Sequence, residues 1–208
     1  LTGLYLKGDV MSLKNPVSRV DTTQETLLFL KRWLKHPLRL GAIAPSSPAL
    51  TSLISRSISV KPENYIVELG AGTGTVTRRL LEYGIPSAQL YVVELDPELC
   101  AFLQKSLPNV HVIQGNATDL ASLLPKEVIG KVSSVVSGMP MSTMPLNVQR
   151  KIIDACLEVM MPDGEIVQYS YHVTSPIPAL KLGLSKKRIG TAFLNLPPAS
   201  LWRYQKAA

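Results

Sequence analysis

Short apolar runs alternate along most of this chain with longer amphipathic stretches, the pattern of strands covered on both faces by helices. The strand candidates begin with Ile66 and Val67, led in by Tyr65, and continue with Gln89–Glu94, Val110–Gln114, Lys131–Ser137 and Glu165–Tyr171. Arg188–Leu194 and Ser200–Tyr204 would close the sheet as an antiparallel pair. Between them the 3.6-residue period predicts helices over Val76–Tyr83, Pro97–Ser106 and Asn147–Met161, the last stopped by Pro162-Asp163-Gly164. Another helix, capped by Ser46 or Ser47 with Pro48 in its first turn, would run through Ser57. The predicted fold is α/β: a doubly wound, mostly parallel, seven-stranded sheet whose ligands sit at the carboxyl ends of the strands.

The N-terminal quarter reads differently. Residues 1–20 carry no period and are predicted to be a flexible lead-in. Asp21-Thr22-Thr23 can cap a helix that runs to His36, ahead of Pro37. Leu27, Phe29, Leu30, Trp33 and Leu34 share one arc of its wheel, and Lys31, Arg32, Lys35 and His36 the other. Such a helix suits a membrane interface, and equally a surface helix laying Leu27, Leu30 and Leu34 on a core. Residues 21–60 are accordingly read as an N-terminal helical arm, and 61–208 as the domain proper.

A net charge of +7 changes the picture by favouring an anionic partner, nucleic acid or membrane surface, although many soluble enzymes are as basic. Cys100 and Cys156, the only two cysteines, lie far apart inside helical patterns, where buried thiols in a reducing compartment are expected rather than a disulfide. No His/Cys spacing suggests zinc, so no metal is expected. No run of about 18 apolar residues and no signal-peptide core is visible. The expected place is the cytoplasm, peripherally associated with the inner face of the cell membrane.

The chemistry concentrates where the first strand ends. Glu68-x-Gly70-x-Gly72-x-Gly74 makes a tight turn before a helix, and Glu94 closes the next strand about twenty residues later. That layout places bare backbone under a nucleotide and a carboxylate near a ribose diol. A dinucleotide fingerprint fits poorly, because its third glycine would fall at position 75, which is Thr. The motif, with Glu94-Leu95-Asp96-Pro97, resembles the first two motifs of class I S-adenosylmethionine-dependent methyltransferases. The resemblance implies that Glu68, Gly70, Gly72, Gly74 and Thr75 hold the methionine end of S-adenosylmethionine, and that Glu94 and Leu95 take the ribose side. Asn116 and Ala117 would meet the adenine, and Ser137 would lie beside the reacting atoms. S-adenosylhomocysteine would be the product.

Five segments resemble, more narrowly, the bacterial phospholipid N-methyltransferases, relatives of the rRNA adenine dimethylases: Phe29–Ser46, Glu68–Gly74, Ser137–Pro145, Gln168–Tyr171 and Asn195-Leu-Pro-Pro-Ala199. The first and last are the selective ones. This resemblance implies stepwise methylation of phosphatidylethanolamine to phosphatidylcholine at a membrane surface, with ornithine-lipid and rRNA adenine methylation as alternatives. Ala44 and Ser46 would then cover the cofactor. Gly138 would face the reacting amine, with Tyr169 or Tyr171 orienting it and holding the methylated cation. Arg188, with Lys186 or Lys187, would bind the lipid phosphate, and Trp33 the lipid surface. An anionic membrane is the expected partner, and no protein partner is predicted. Nucleic acid is set aside as unlikely, because Gly138-Met139-Pro140-Met141 lacks the amide and ring of the dimethylases' Asn-Leu-Pro-Tyr.

Overall fold

The computed structural model describes residues 47–58, 61–195 and 197–207. The predicted amphipathic helix, with Trp33, and the segment carrying Ala44 and Ser46 lie outside them. Seven strands form one sheet: β1 (Tyr65–Leu69), β2 (Leu90–Glu94), β3 (His111–Gln114), β4 (Val132–Ser137), β5 (Met160–Ser170), β6 (Leu184–Ala192) and β7 (Ala199–Lys206). Their spatial order is β3-β2-β1-β4-β5-β7-β6. The first five pair in parallel. Strand β7 runs antiparallel between β5 and β6. The sheet is the doubly wound, mostly parallel one the alternation predicts.

Period-two alternation decides which face each strand residue serves. Ile66, Val92, Val136, Val167 and Leu201 face one core, where α1 (Pro48–Arg56), α2 (Thr75–Glu82) and α3 (Pro97–Ser106) contribute Leu50, Ile54, Val76, Leu80 and Leu103. Val67, Val93, Val135, Ile166 and Tyr204 face the other. There α4 (Leu120–Leu123) and α5 (Leu146–Val159) bring Leu120, Ile152, Ile153 and Cys156. Both faces are covered, which is why the central strands read as unbroken apolar runs.

Helix α1 starts where Ser47 caps it, its side chain accepting from the Leu50 N–H. It crosses the edge strand closely: a Cβ on Gly190 would stand 3.2 Å from the Leu53 methyls. Residues 47–58 thus pack as part of the second layer.

Two local expectations shift. Pro162-Asp163-Gly164 is not a break between α5 and a later strand but a bulge inside β5. Met160 already pairs with Val132, and the ladder resumes at Ser134 and Glu165. Gly164 is needed there, because a Cβ would come within 3.0 Å of the Met161 carbonyl. Strand β6 begins at Leu184 instead of Arg188, and Phe193-Leu194 falls in the turn after it. Ser185, Lys186 and Lys187 are exposed on this sheet edge, so no alternation marks them as strand.

Ile54, fully buried between α1 and the sheet, tests the helix's share of the core. Ile54→Ala should remove about 3 kcal/mol of stability, read as a lowered urea midpoint. An unchanged midpoint would mean that α1 is not part of the cooperative fold.

Candidate active site

The crevice forms where the strand order reverses, between β1 and β4. Gly70, Gly72 and Gly74 all take left-handed backbone, with φ of 68°, 59° and 79°. Side chains at these positions would be strained whatever the space around them. Space matters as well at Gly74, where a Cβ would stand 2.6 Å from a Leu103 methyl, so the turn can seat on α3 only as glycine. Nothing lies within 4 Å of the corresponding point on Gly72. The backbone there is open to a ligand.

Two buried carboxylates brace this turn. Glu68, 3% exposed on β1, accepts a hydrogen bond from the Thr77 hydroxyl of α2 at 2.7 Å. Burial pushes its pKa up to about 7, with the Thr77 bond opposing and the nearby Glu94 charge adding to the rise. Glu94, 1% exposed at the tip of β2, accepts from the Gly72 N–H at 2.9 Å and from the Asp96 N–H at 3.0 Å. Burial raises its pKa too, against the pull of those backbone donors. Glu94 does not cap α3. Asp96 does, accepting from Glu98 and Leu99. Glu94 instead ties the second strand to the glycine turn, and its backbone carbonyl accepts from Gly115 N–H at 3.0 Å. All three loops of the crevice meet at this one residue.

The remaining predicted residues fall around it. Thr75 opens α2, and Leu95, partly buried, packs on the core beside β2. Ala117 is buried, and Asn116 spends its side-chain carbonyl on the Thr118 N–H in a local turn. On the far side of the crevice Ser137, buried, accepts from the Met139 N–H. Tyr169 reaches over from β5 so closely that a Cβ on Gly138 would strike its hydroxyl and ring. Tyr169 and Tyr171, two apart, both pack toward the core that holds α1. Arg188 donates to the Thr191 and Ser200 hydroxyls and sits over the Trp202 ring, with Lys186 on the same ring. Lys187 is exposed on the edge strand.

Sequence reasoning singled out the Gln168–Tyr171 segment but gave Gln168 no role. Gln168 is 1% exposed and donates to the Met139 and Tyr169 carbonyls, pinning the loop after β4. A polar residue inside an apolar strand run was the signal that could have marked it. The residues present fit S-adenosylmethionine. Of roughly four acceptor positions on the Glu94 carboxylate, backbone N–H groups of Gly72, Asp96 and Leu95 take up to three, and a remaining one would be available to a ribose hydroxyl beside the open backbone of Gly72.

Fold and crevice together define a class I S-adenosylmethionine-dependent methyltransferase. Comparison with known proteins narrows this. The family model for ribosomal RNA adenine dimethylase matches residues 46–181. An ornithine lipid N-methyltransferase of Singulisphaera acidiphila is 32% identical over 148 residues, which cover 70% of this chain and 77% of that protein. A ribosomal RNA small subunit methyltransferase A of Nostoc sp. is 36% identical over 54% of this chain, but that match spans only 39% of the relative's length. Among solved structures, a precorrin-6y C5,15-methyltransferase from Geobacter metallireducens superposes with a TM-score of 0.57 at 16% identity, over 76% of this chain and 88% of that one, a likeness of fold. The chain belongs to the ribosomal RNA adenine dimethylase family, and within that superfamily it is an S-adenosylmethionine-dependent N-methyltransferase.

This family match corrects one expectation. Nucleic acid cannot be set aside as a partner class, since the matching model and several relatives are those of ribosomal RNA methylation. The structure also puts a ring beside the tetrapeptide. The ring absent from Gly138–Met141 is brought to Gly138 by Tyr169 from the adjacent strand.

Two outcomes test the site. Glu94→Ala should weaken S-adenosylmethionine binding by about tenfold or more in isothermal titration, given that a charge-assisted hydrogen bond is worth about 1.5–3 kcal/mol; unchanged affinity would place the ribose elsewhere. The second concerns Glu68. Its folded pKa lies above the unfolded value of 4.5, so between these the folded state binds the extra proton. Stability attributable to it is present below about pH 4.5, falls as pH rises to about 7, and is flat above. Glu68→Gln keeps an acceptor for Thr77 and should flatten the pH 5–7 slope of the urea midpoint. A slope identical to the parent's would remove Glu68 as its source.

Proposed function

We propose that this protein methylates the primary amine of a membrane lipid, with ornithine lipid ahead of phosphatidylethanolamine. The observation that carries the reading is the similarity to the ornithine lipid enzyme, which runs through 77% of that protein's length, whereas the ribosomal match to the Nostoc protein spans 39% of its length. The acceptor side of the crevice supports it. Gly138 offers no side chain and Tyr169 offers one ring with a hydroxyl, a narrow setting suited to an alkylamine.

Bound S-adenosylmethionine supplies an electrophilic methyl group. The protein's part is positioning and exclusion of water. Glu94 and the glycine turn fix one reactant, while Gln168 and Ser137 hold the β4 loop that faces the other. An alkylamine carries a proton at neutral pH, as lysine does, and only its neutral form has the lone pair that attacks. Tyr169 would orient that amine and then hold the methylated cation against its ring. Methylation would take place at a membrane surface, where the substrate resides. Among the described residues no helix is long and apolar enough to cross a bilayer, and the lipid would reach the protein at the interface.

A second reading, methylation of an rRNA adenine amine, is favoured by the family model over residues 46–181. One experiment separates them. The protein is given radiolabelled S-adenosylmethionine with ornithine lipid, phosphatidylethanolamine and unmethylated small-subunit rRNA in parallel. Label should enter ornithine lipid at a rate at least about tenfold above the RNA, a difference of about 1.4 kcal/mol in barrier. Label in RNA alone would overturn the lipid reading and install the second.

A further inference from the structure

Apolar side chains stand exposed at the end of the sheet where Gly138 and Tyr169 lie. Phe193 and Leu194, in the turn between β6 and β7, are 78% and 88% exposed, and Val173, in the loop after β5, is 78% exposed. These loops lie at the same end of the molecule. Ser170 at the end of β5 pairs with Ser200 near the start of β7, and Ala199 pairs with Ala192 at the end of β6. That end is where Gly138 and Tyr169 meet, one to three strands away, or roughly 5–15 Å at the usual strand spacing. Three large apolar side chains exposed together at one end of a sheet mark a candidate contact surface.

The turn is built to hold its shape. Asn195, next to Leu194 and only 4% exposed, accepts from the Ser47 N–H at 2.9 Å and donates to the Pro197 carbonyl at 2.7 Å. It fastens the turn to the first residue before α1. Asn195 opens the Asn-Leu-Pro-Pro-Ala segment that the sequence singles out, and this clamp gives that segment a purpose. Two consecutive apolar residues exposed beside a clamped asparagine do not form a groove for a peptide. They match the interface of a bilayer, into which a short apolar tip can dip beside the reaction site. A net charge of +7 would hold the protein against an anionic headgroup layer while it does so.

We infer that the β6–β7 turn, through Phe193 and Leu194 with Val173 beside them, is a wedge that inserts into the lipid surface and sets the open end of the crevice against it. This rests on the lipid reading for its purpose but can be tested without turnover. Cys100 and Cys156 are buried, so a cysteine placed at Leu194 is the reactive one among the described residues. Leu194→Cys carrying an environment-sensitive nitrobenzoxadiazole dye is mixed with vesicles of phosphatidylcholine and phosphatidylglycerol. Leu180→Cys is the control, 93% exposed just before β6 begins at the opposite end of the sheet. The dye at 194 should brighten and shift blue with vesicles while that at 180 stays unchanged. No shift at 194, or equal shifts at both, would overturn the wedge.

Activity then separates the two ideas. Phe193→Ser with Leu194→Ser should lower methylation of vesicle-borne ornithine lipid about tenfold, the scale expected from losing part of two apolar burials, and leave a monomeric short-chain analogue untouched. Equal loss on both substrates would overturn the wedge as an interfacial device. If the parent protein methylates neither lipid yet the dye on Leu194→Cys still shifts, the lipid reading fails and the wedge stands.

Discussion

The hydrogen bond from the Gly72 N–H to the Glu94 carboxylate is the contact on which the site depends. It joins a turn built on three glycines to a strand tip twenty-two residues later. Through the backbone of the same glutamate, the third loop is drawn in at Gly115. A turn of three left-handed glycines has little intrinsic rigidity, since each loses more conformational freedom on ordering than any other residue. The carboxylates beneath it supply the order that the glycines cannot. Burial makes both acids harder to ionise, and the Glu94 charge adds to the rise at Glu68, so the crevice floor carries a cost that the Thr77 hydroxyl at Glu68 and the backbone donors at Glu94 offset.

Much of this was legible in the sequence because it depends on chemistry that only a few residue types can perform. Left-handed backbone calls for glycine, and a buried acid at a strand tip stands out in an apolar run. The alternation of buried runs with amphipathic stretches gave the sheet, including its antiparallel closing pair. What was not legible arises from contacts between distant parts of the chain. Gln168 pins a loop twenty-nine residues earlier, and Asn195 binds a residue 148 positions away. Neither partner is visible from local pattern. The bulge at Pro162-Asp163-Gly164 was misread for a related reason: its residues are those of a turn, and only the pairing of Met160 with Val132 shows that the strand has already begun.

The acceptor side shows how a motif argument can fail while its chemistry holds. A tetrapeptide without an aromatic residue suggested a site without a ring, and hence one unsuited to a base. Tyr169 supplies a ring to Gly138 from the next strand. The sequence position of an aromatic side chain is therefore a poor guide to what lies beside a given loop. Discrimination between an alkylamine and a base then depends on the room left around that ring and on what approaches it from outside the sheet.

What approaches from outside is constrained by the same clamp that shapes the β6–β7 turn. Asn195 can fasten the turn to Ser47 only while α1 is docked, and α1 is docked by Leu50 and Ile54 in the core beneath Tyr169 and Tyr171. The β6–β7 turn and the two tyrosines therefore share one layer of packing. A change in α1 would be felt at both: in the order of the turn and in the support of the rings at the end of β5. The fold thereby couples these two parts of the chain through ordinary core packing.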